Sequence, residues 1–564
     1  MKTILKAGAA LGVALAPLVA LAQAVPNPVS APAPARAPNT ERQDALDPSP
    51  VDPAKDPDIG LFLGDYRAAK PRTLFGGLVV QDILTPLGAA DPMRPAARGA
   101  VLIDITSVSR ASLAPGATAK GRMPAGTRAV LYVAEGTAQL AVNGRSHDLR
   151  EGHFIVLTPD FDFALTTQGK APLTLFMRTE PVPPGTAPAP DVTVMSRFDN
   201  DRRIGAHWLH ICNGGVGGNL LCTIAPRTMP QPHSHNWEEV WLAVKGESVL
   251  MLGKQLVRMR PGQAYKIPPS GLAPHSNLNP NATPIQLIYM GPLVRKARPP
   301  LPDYAQLENT PIDPAGSPDI DLFMGNWQDA YPRIAHGNLY LRDMLTSLTG
   351  GDPVKPIRKG AVLTAATAVS HAMLEPGSTA HRAEGDPADV QEIFIVESGT
   401  GTLRIDGREL ALAKGKAFIL PAGRDFRLTA TGSDYLTFYV IAEKAAPGAT
   451  AAAVTLIDHG GERPVVTDWH NQRRPLVTAA DGLARLGAID AVSLPPMAIA
   501  RAQSSAPGSE DIWIALDDVD AMIGKQLRTL KAGTAYKVPP TGITARANIN
   551  LGGKPARFLH ITTK

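Results

Sequence analysis

The chain has 564 residues, a formal net charge of +5 and a pI near 9.0. That length allows several hydrophobic cores. The positive charge is mild for so long a chain and no Lys/Arg-rich cluster occurs, which argues against nucleic-acid binding.

Residues 1–24 read as a secretory signal: Lys2 and Lys6, an apolar run from Ala7 to Leu21, then Ala22-Gln23-Ala24 before Val25. The run is too short for a transmembrane segment. Cleavage after Ala24 and a periplasmic or secreted product are therefore expected, with a retained interfacial anchor as the alternative; loss of Lys2 and Lys6 lowers the net charge from +5 to +3. Residues 25–56, rich in Pro, Ala and Asp, predict a flexible, disordered leader.

An internal repeat follows. Pro57-Asp58-Ile59-Gly60-Leu61-Phe62-Leu63-Gly64 returns as Pro318-Asp319-Ile320-Asp321-Leu322-Phe323-Met324-Gly325, and the register holds through Pro115-Gly116 and Pro376-Gly377. The later parts match as well: Gly253-Lys254-Gln255-Leu256 with Gly524-Lys525-Gln526-Leu527, and Ala264-Tyr265-Lys266 with Ala535-Tyr536-Lys537. Each long repeat thus divides into two modules, giving 57–180, 191–295, 318–445 and 453–564. Short alternating runs and turns such as Asn143-Gly144 and Asp406-Gly407 predict all-β, barrel-like units. The few short helices are expected in Thr73 to Leu87 and Gly337 to Leu348.

Cys212 and Cys222 are the two cysteines and flank a glycine-rich turn. A hairpin centred on Gly217 sets them opposite one another, as a disulfide or as a pair of buried thiols. Downstream, His233-Ser234-His235 is followed by Glu239, Gly246, Pro268, Gly271 and His275. On a strand His233, His235 and Glu239 share parity. Imidazole and carboxylate donors suit a divalent transition metal better than Ca²⁺ or Mg²⁺.

This pattern resembles the two-part signature of the cupin superfamily, although Arg227 stands where that signature has a glycine and Gly271 is flanked by two extra residues. The resemblance implies four jelly-roll barrels in two tandem bicupin repeats. It also implies a metal held by His233, His235, Glu239 and His275. Asn236 and Trp237 are candidates for the substrate pocket, and His207 and His210 for groups behind the ligands. In the fourth module the ligand positions fall on Ser505, Pro507, Asp511 and Arg546, and a guanidinium in place of a ligand predicts a metal-free barrel. The third keeps His381 and Glu392 but has Ala383 and Phe426, so these two are read as a remnant pair in a structural barrel; the first has Lys120, Arg122 and Ala129 and reads as empty. Tyr265, Lys266, Asn277 and Asn279 have counterparts in the metal-free fourth module, so they are assigned to holding the fold.

No nucleophile triad, phosphate loop or redox C-x-x-C motif is found. The expected function is a metal-dependent enzyme of the dioxygenase or decarboxylase type acting on a small oxygenated molecule, with Fe, Mn, Cu, Ni or Zn as the ion. The alternatives are a non-catalytic ligand- or sugar-binding scaffold and a Lewis-acid isomerase. The expected partner is that small molecule, and homo-oligomers are compatible with the repeat architecture.

Overall fold

The computed structural model describes residues 46–159, 161–182, 210–216, 218–230, 232–233, 238–268, 273–292, 318–446 and 454–564. Nearly all regular structure is β. Among these residues the helices are four 3₁₀ turns: Ile59–Phe62, Tyr66–Ala68, Ile320–Phe323 and Ala479–Asp481. No helix among the described residues is long and apolar enough to cross a membrane.

The helices expected in the lead-in segments are strands instead, Leu78–Pro86 and Leu339–Ser347. The reason is a register shift. Strand Leu78–Pro86 pairs with Ser107–Leu113, and the shift between Asp82 and Leu84 turns both Ile83 and Leu84 inward. Such a bulge breaks the period of two and imitates a helical repeat.

In each of the four expected modules a larger, mainly antiparallel sheet packs on a smaller one, with parallel pairs where Leu78–Pro86 meets Ala100–Leu102 and Leu339–Ser347 meets Ala361–Leu363. In the first, Leu78, Val133 and Leu175 of one sheet meet Leu140, Leu149 and Leu165 of the other, and the residual cavity is about 10 Å³. In the third, Phe394, Phe418 and Phe438 fill the interior, with ring centroids 4.8–6.4 Å apart. These interiors are closed by packed side chains.

Within each half one strand passes from the earlier module into the sheet of the later one. Leu63–Asp65, from the first module's lead-in, pairs with Gln263–Lys266 of the second; Met324–Asn326 pairs with Thr534–Lys537 of the fourth. The second and fourth modules then join the halves. Met229 N–H donates to Lys525 O at 3.0 Å and Leu527 N–H to Arg227 O at 2.8 Å, beside a shared core of Met251, Leu278, Met522 and Ile549.

The leader departs from its expected disorder from Leu46 onward, because it carries groups that the joint between the halves needs. Leu46 is buried, Asp47 and Ser49 hold the buried Lys254 ammonium at 3.0 and 2.9 Å, and the Trp469 indole N–H donates to Asp47 O at 2.7 Å. Residues 1–45 lie outside the described residues.

Candidate metal centre

Glu239 immediately precedes strand Val240–Lys245, and His275 opens strand His275–Leu278, which pairs with Ser248–Leu252 of the smaller sheet. His233 is tied to His275 by two backbone bonds, His275 N–H to His233 O at 2.8 Å and His233 N–H to His275 O at 3.3 Å. Their rings lie 4.3 Å apart. Glu239 Oε1 is 3.1 Å from His275 Nε2, and both side chains are buried. Two donors each ~2.1 Å from one ion and at right angles lie ~3.0 Å apart, so this pair has the spacing of adjacent ligands. Burial, with a smaller push from His210, drives the His275 imidazole down to about 3 against the opposing bond from His233. It is therefore neutral near pH 7, the form that ligates a metal.

The Trp241 indole N–H donates to Glu239 Oε1 at 2.5 Å and orients the carboxylate. His235, Asn236 and Trp237 lie outside the described residues, as does His207. His210 is described; its ring is 6.3 Å from Trp241 and its Nε2 is 3.3 Å from Cys212 Sγ. Cys212 and Cys222 are directly paired across the hairpin and form a disulfide. Among the described residues, the trio of His, Cys, Asp or Glu donors lying within 4.8 Å of one another is His210, Cys212 and Cys222, so the structure brings Glu239 and His275 together but does not bring the donor atoms of His233 within that range of both. The trio's sulfurs are spent in the disulfide and offer no thiolate, so that trio is not a metal site.

The neighbours assigned to the fold each have a structural partner. Asn277 Nδ2 donates to Tyr265 OH at 2.8 Å; Lys266 Nζ donates to Val101 O at 2.6 Å; Asn279 Nδ2 spans the carbonyls of Ile224, Ala225 and Thr283. Glu238, buried next to Glu239, accepts the backbone N–H groups of Ile103, Asp104 and Ile105 at 2.6–2.8 Å. The second module's centre is thus braced against the first. Arg227, at the signature's glycine position, takes the left-handed φ of 52°, as does Met497 at 51° in the fourth module.

In the fourth module three of the four substituted residues, Ser505, Asp511 and Arg546, do meet. Asp511 Oδ2 accepts from Ser505 Oγ at 2.7 Å and from Arg546 Nε at 3.0 Å, while Oδ1 accepts from Trp513 Nε1 at 2.6 Å and lies 2.9 Å from His560 Nε2. Burial pushes the Asp511 carboxyl up, but the Arg546 charge and the bonds from His560 and Ser505 outweigh it and hold the group far below the usual carboxylate range. Sequence reasoning missed His560. The repeat itself carried the signal, because Trp241 pairs with Tyr289 in one sheet as Trp513 pairs with His560 in the other.

The third module corrects another expectation. His381 and Glu392 are not a remnant pair: His381 is exposed, and Glu392 Oε2 meets His336 Nε2 at 2.7 Å while His336 Nδ1 meets Asp386 at 2.7 Å. His336 occupies the left-handed turn, φ 52°, that Phe75 forms in the first module, and no ligand motif marks it. In the first module Lys120 is exposed and Arg122 pairs with Asp162 at the surface.

Residues 220–291 and 370–442 match the Cupin_2 family, described as a cupin domain. No curated protein matches the chain. Solved structures similar to parts of it include AerE from Microcystis aeruginosa, at 16% identity and TM-score 0.32, covering 42% of this chain and 100% of that one. Oxalate decarboxylase from Bacillus subtilis is also among them, at 12% identity and TM-score 0.33, covering 43% of this chain and 77% of that one. The family matches fall one in each half, the first enclosing Glu239 and His275 and the second Glu392, so each repeat contains a segment similar to a cupin domain.

Proposed function

We propose that the second module is the metal centre of an exported enzyme acting on a small oxygenated organic molecule, with His233, His235, Glu239 and His275 as the ligands. The observation that supports this reading is the buried 3.1 Å approach of Glu239 to His275, at the position where the fourth module sets Asp511 against Arg546. A bound divalent transition metal would supply Lewis acidity, or, as Fe, Mn or Cu, one-electron chemistry for oxidative cleavage or decarboxylation.

The chain's own groups have defined tasks in this reading. Trp241 holds one carboxylate oxygen of Glu239, and burial keeps His275 neutral. Tyr265 is pushed well above the ordinary phenol range by burial and by the charge of Glu239, so it stays protonated and adds no competing anion. The buried surroundings exclude water and strengthen every charge interaction at the centre.

Elemental analysis of the full chain purified without oxygen tests the assignment. Roughly one equivalent of metal is expected, falling at least tenfold in Glu239→Gln and His275→Ala. Full occupancy in both variants would refute the ligand set. The ion found also separates oxygen chemistry from Zn- or Ni-type lyase or isomerase chemistry. A second reading, a non-catalytic binder or scaffold, is favoured by the guanidinium at the ligand position of the fourth module. If chelator lowers the melting temperature steeply while turnover of every oxygenated substrate tried is undetectable, that reading replaces the first.

A further inference from the structure

The fourth module holds a cavity of about 330 Å³ on the Asp511 side of its sheets. That is within the ~300–1,000 Å³ range of small-molecule sites. Its wall includes Thr467, Asn471, Arg473, Asp511, Arg546 and His560. Three of these present buried polar atoms with no hydrogen-bond partner: Arg546 Nη1, Asn471 Oδ1 and Thr467 Oγ1. Arg546 and Asn471 are each only 3% exposed. Buried groups of this kind cost roughly 1–3 kcal/mol each when left unpaired, so three along one cavity point to a ligand that pairs them.

The formal charges around the cavity are matched within the protein. Arg546 faces Asp511, Arg473 faces Asp490, Asp468 faces Arg501 and Glu510 faces Lys537, at 2.5–3.1 Å. His560 is neutral because burial outweighs the pull of Asp511. A wall so balanced gives an ion no net attraction. The unpaired set comprises a donor, an acceptor and a hydroxyl that does either. Hydroxyl groups complement all three.

The backbone beside the cavity adds an independent observation. Asp468 and Trp469 are consecutive non-glycine residues with left-handed φ of 47° and 77°. Strain of this kind persists where surrounding contacts over-determine it, and it clusters at ligand sites. Here Asp468 is held by Arg501 and Trp469 by the leader, which places Asp468 in the cavity wall.

We infer that the fourth module is a metal-independent binding site for a small neutral polyhydroxylated molecule, a monosaccharide, with Arg546 standing where the second module has His275. The inference is independent of catalysis in the second module. Saturation-transfer NMR on the full chain, pretreated with chelator, tests it with D-glucose, D-galactose, D-mannose and L-arabinose as probes and acetate and malonate as charged controls. Transfer to at least one sugar is expected, with affinity at least tenfold weaker in Asn471→Leu and in Thr467→Val. These two variants avoid the Asp511–Arg546 pair, and their unchanged melting temperatures would show intact folding. Absence of transfer to every sugar, transfer to the carboxylates alone, or affinity unchanged in both variants would overturn it. Binding that persists in Glu239→Gln separates this site from the metal centre.

Discussion

The second and fourth modules build the same frame around different centres. Trp241 donates to Glu239 at 2.5 Å as Trp513 donates to Asp511 at 2.6 Å; Tyr265 meets Asn277 at 2.8 Å as Tyr536 meets Asn548 at 2.7 Å; Lys266 reaches Val101 O at 2.6 Å as Lys537 reaches Val362 O at 2.7 Å. Asn279 and Asn550 each span three backbone carbonyls. The difference lies in what answers the buried carboxylate. Glu239 faces an imidazole that burial keeps neutral, whereas Asp511 faces a guanidinium that carries its own charge. A neutral donor leaves the negative charge for an outside cation to balance. A guanidinium balances it within the chain and removes the net charge that a cation would answer.

The strongest way to break that contrast is Arg546→Ala. It leaves Asp511 buried without its counter-charge, and a loss of about 3–5 kcal/mol is expected in urea denaturation. His275→Ala removes no formal charge and should cost clearly less in metal-free protein measured the same way. Equal losses would mean that the two carboxylates are balanced alike.

The disulfide marks a second asymmetry, since both cysteines lie in the second module. The Cys212→Ser/Cys222→Ser variant should lose about 2–3 kcal/mol, given a ten-residue separation. Dithiothreitol should shift melting of the native chain and leave the variant unmoved, as followed by differential scanning calorimetry.

The smallest effects concern pH, and they have opposite signs in the third and fourth modules. Burial lowers His560 below its ordinary range despite the opposing Asp511, so the unfolded chain takes up the proton first. Its stability contribution is complete above about pH 6.5 and falls as pH drops below that, by at most about 1.4 kcal/mol per pH unit. For His336, burial lowers the value, but the bonds and charges of Glu392 and Asp386 prevail and raise it. Its contribution is complete below about pH 6.5 and is lost as pH rises through the folded value. His560→Gln should therefore flatten the acid side of the stability profile, and His336→Gln the neutral-to-alkaline side. Urea midpoints between pH 5 and 9 check both; the same sign for the two variants would contradict the assigned protonation states.

Much of the frame was legible in the chain itself. The repeat, the alternating runs and the Tyr, Lys and Asn pairs are local patterns, and local periodicity sets which face of a strand a side chain takes. The Ser505, Asp511 and Arg546 substitutions were equally visible, because the chain supplies its own paralogous copy for comparison. Period alone failed at Asp82 to Leu84, where a bulge reverses the parity, and at His381, whose side chain is exposed although its sequence position matches a ligand.

What only the tertiary structure decided is which distant groups meet. The passage of Leu63–Asp65 into the second module, the pairing of Glu392 with His336 rather than His381, and the 330 Å³ cavity beside Arg546 depend on register between strands far apart in the chain. Sequence periodicity constrains the facing of each strand, but not the partner or the depth at which it docks. Those follow from packing the whole set of sheets with the fewest buried polar atoms left unpaired.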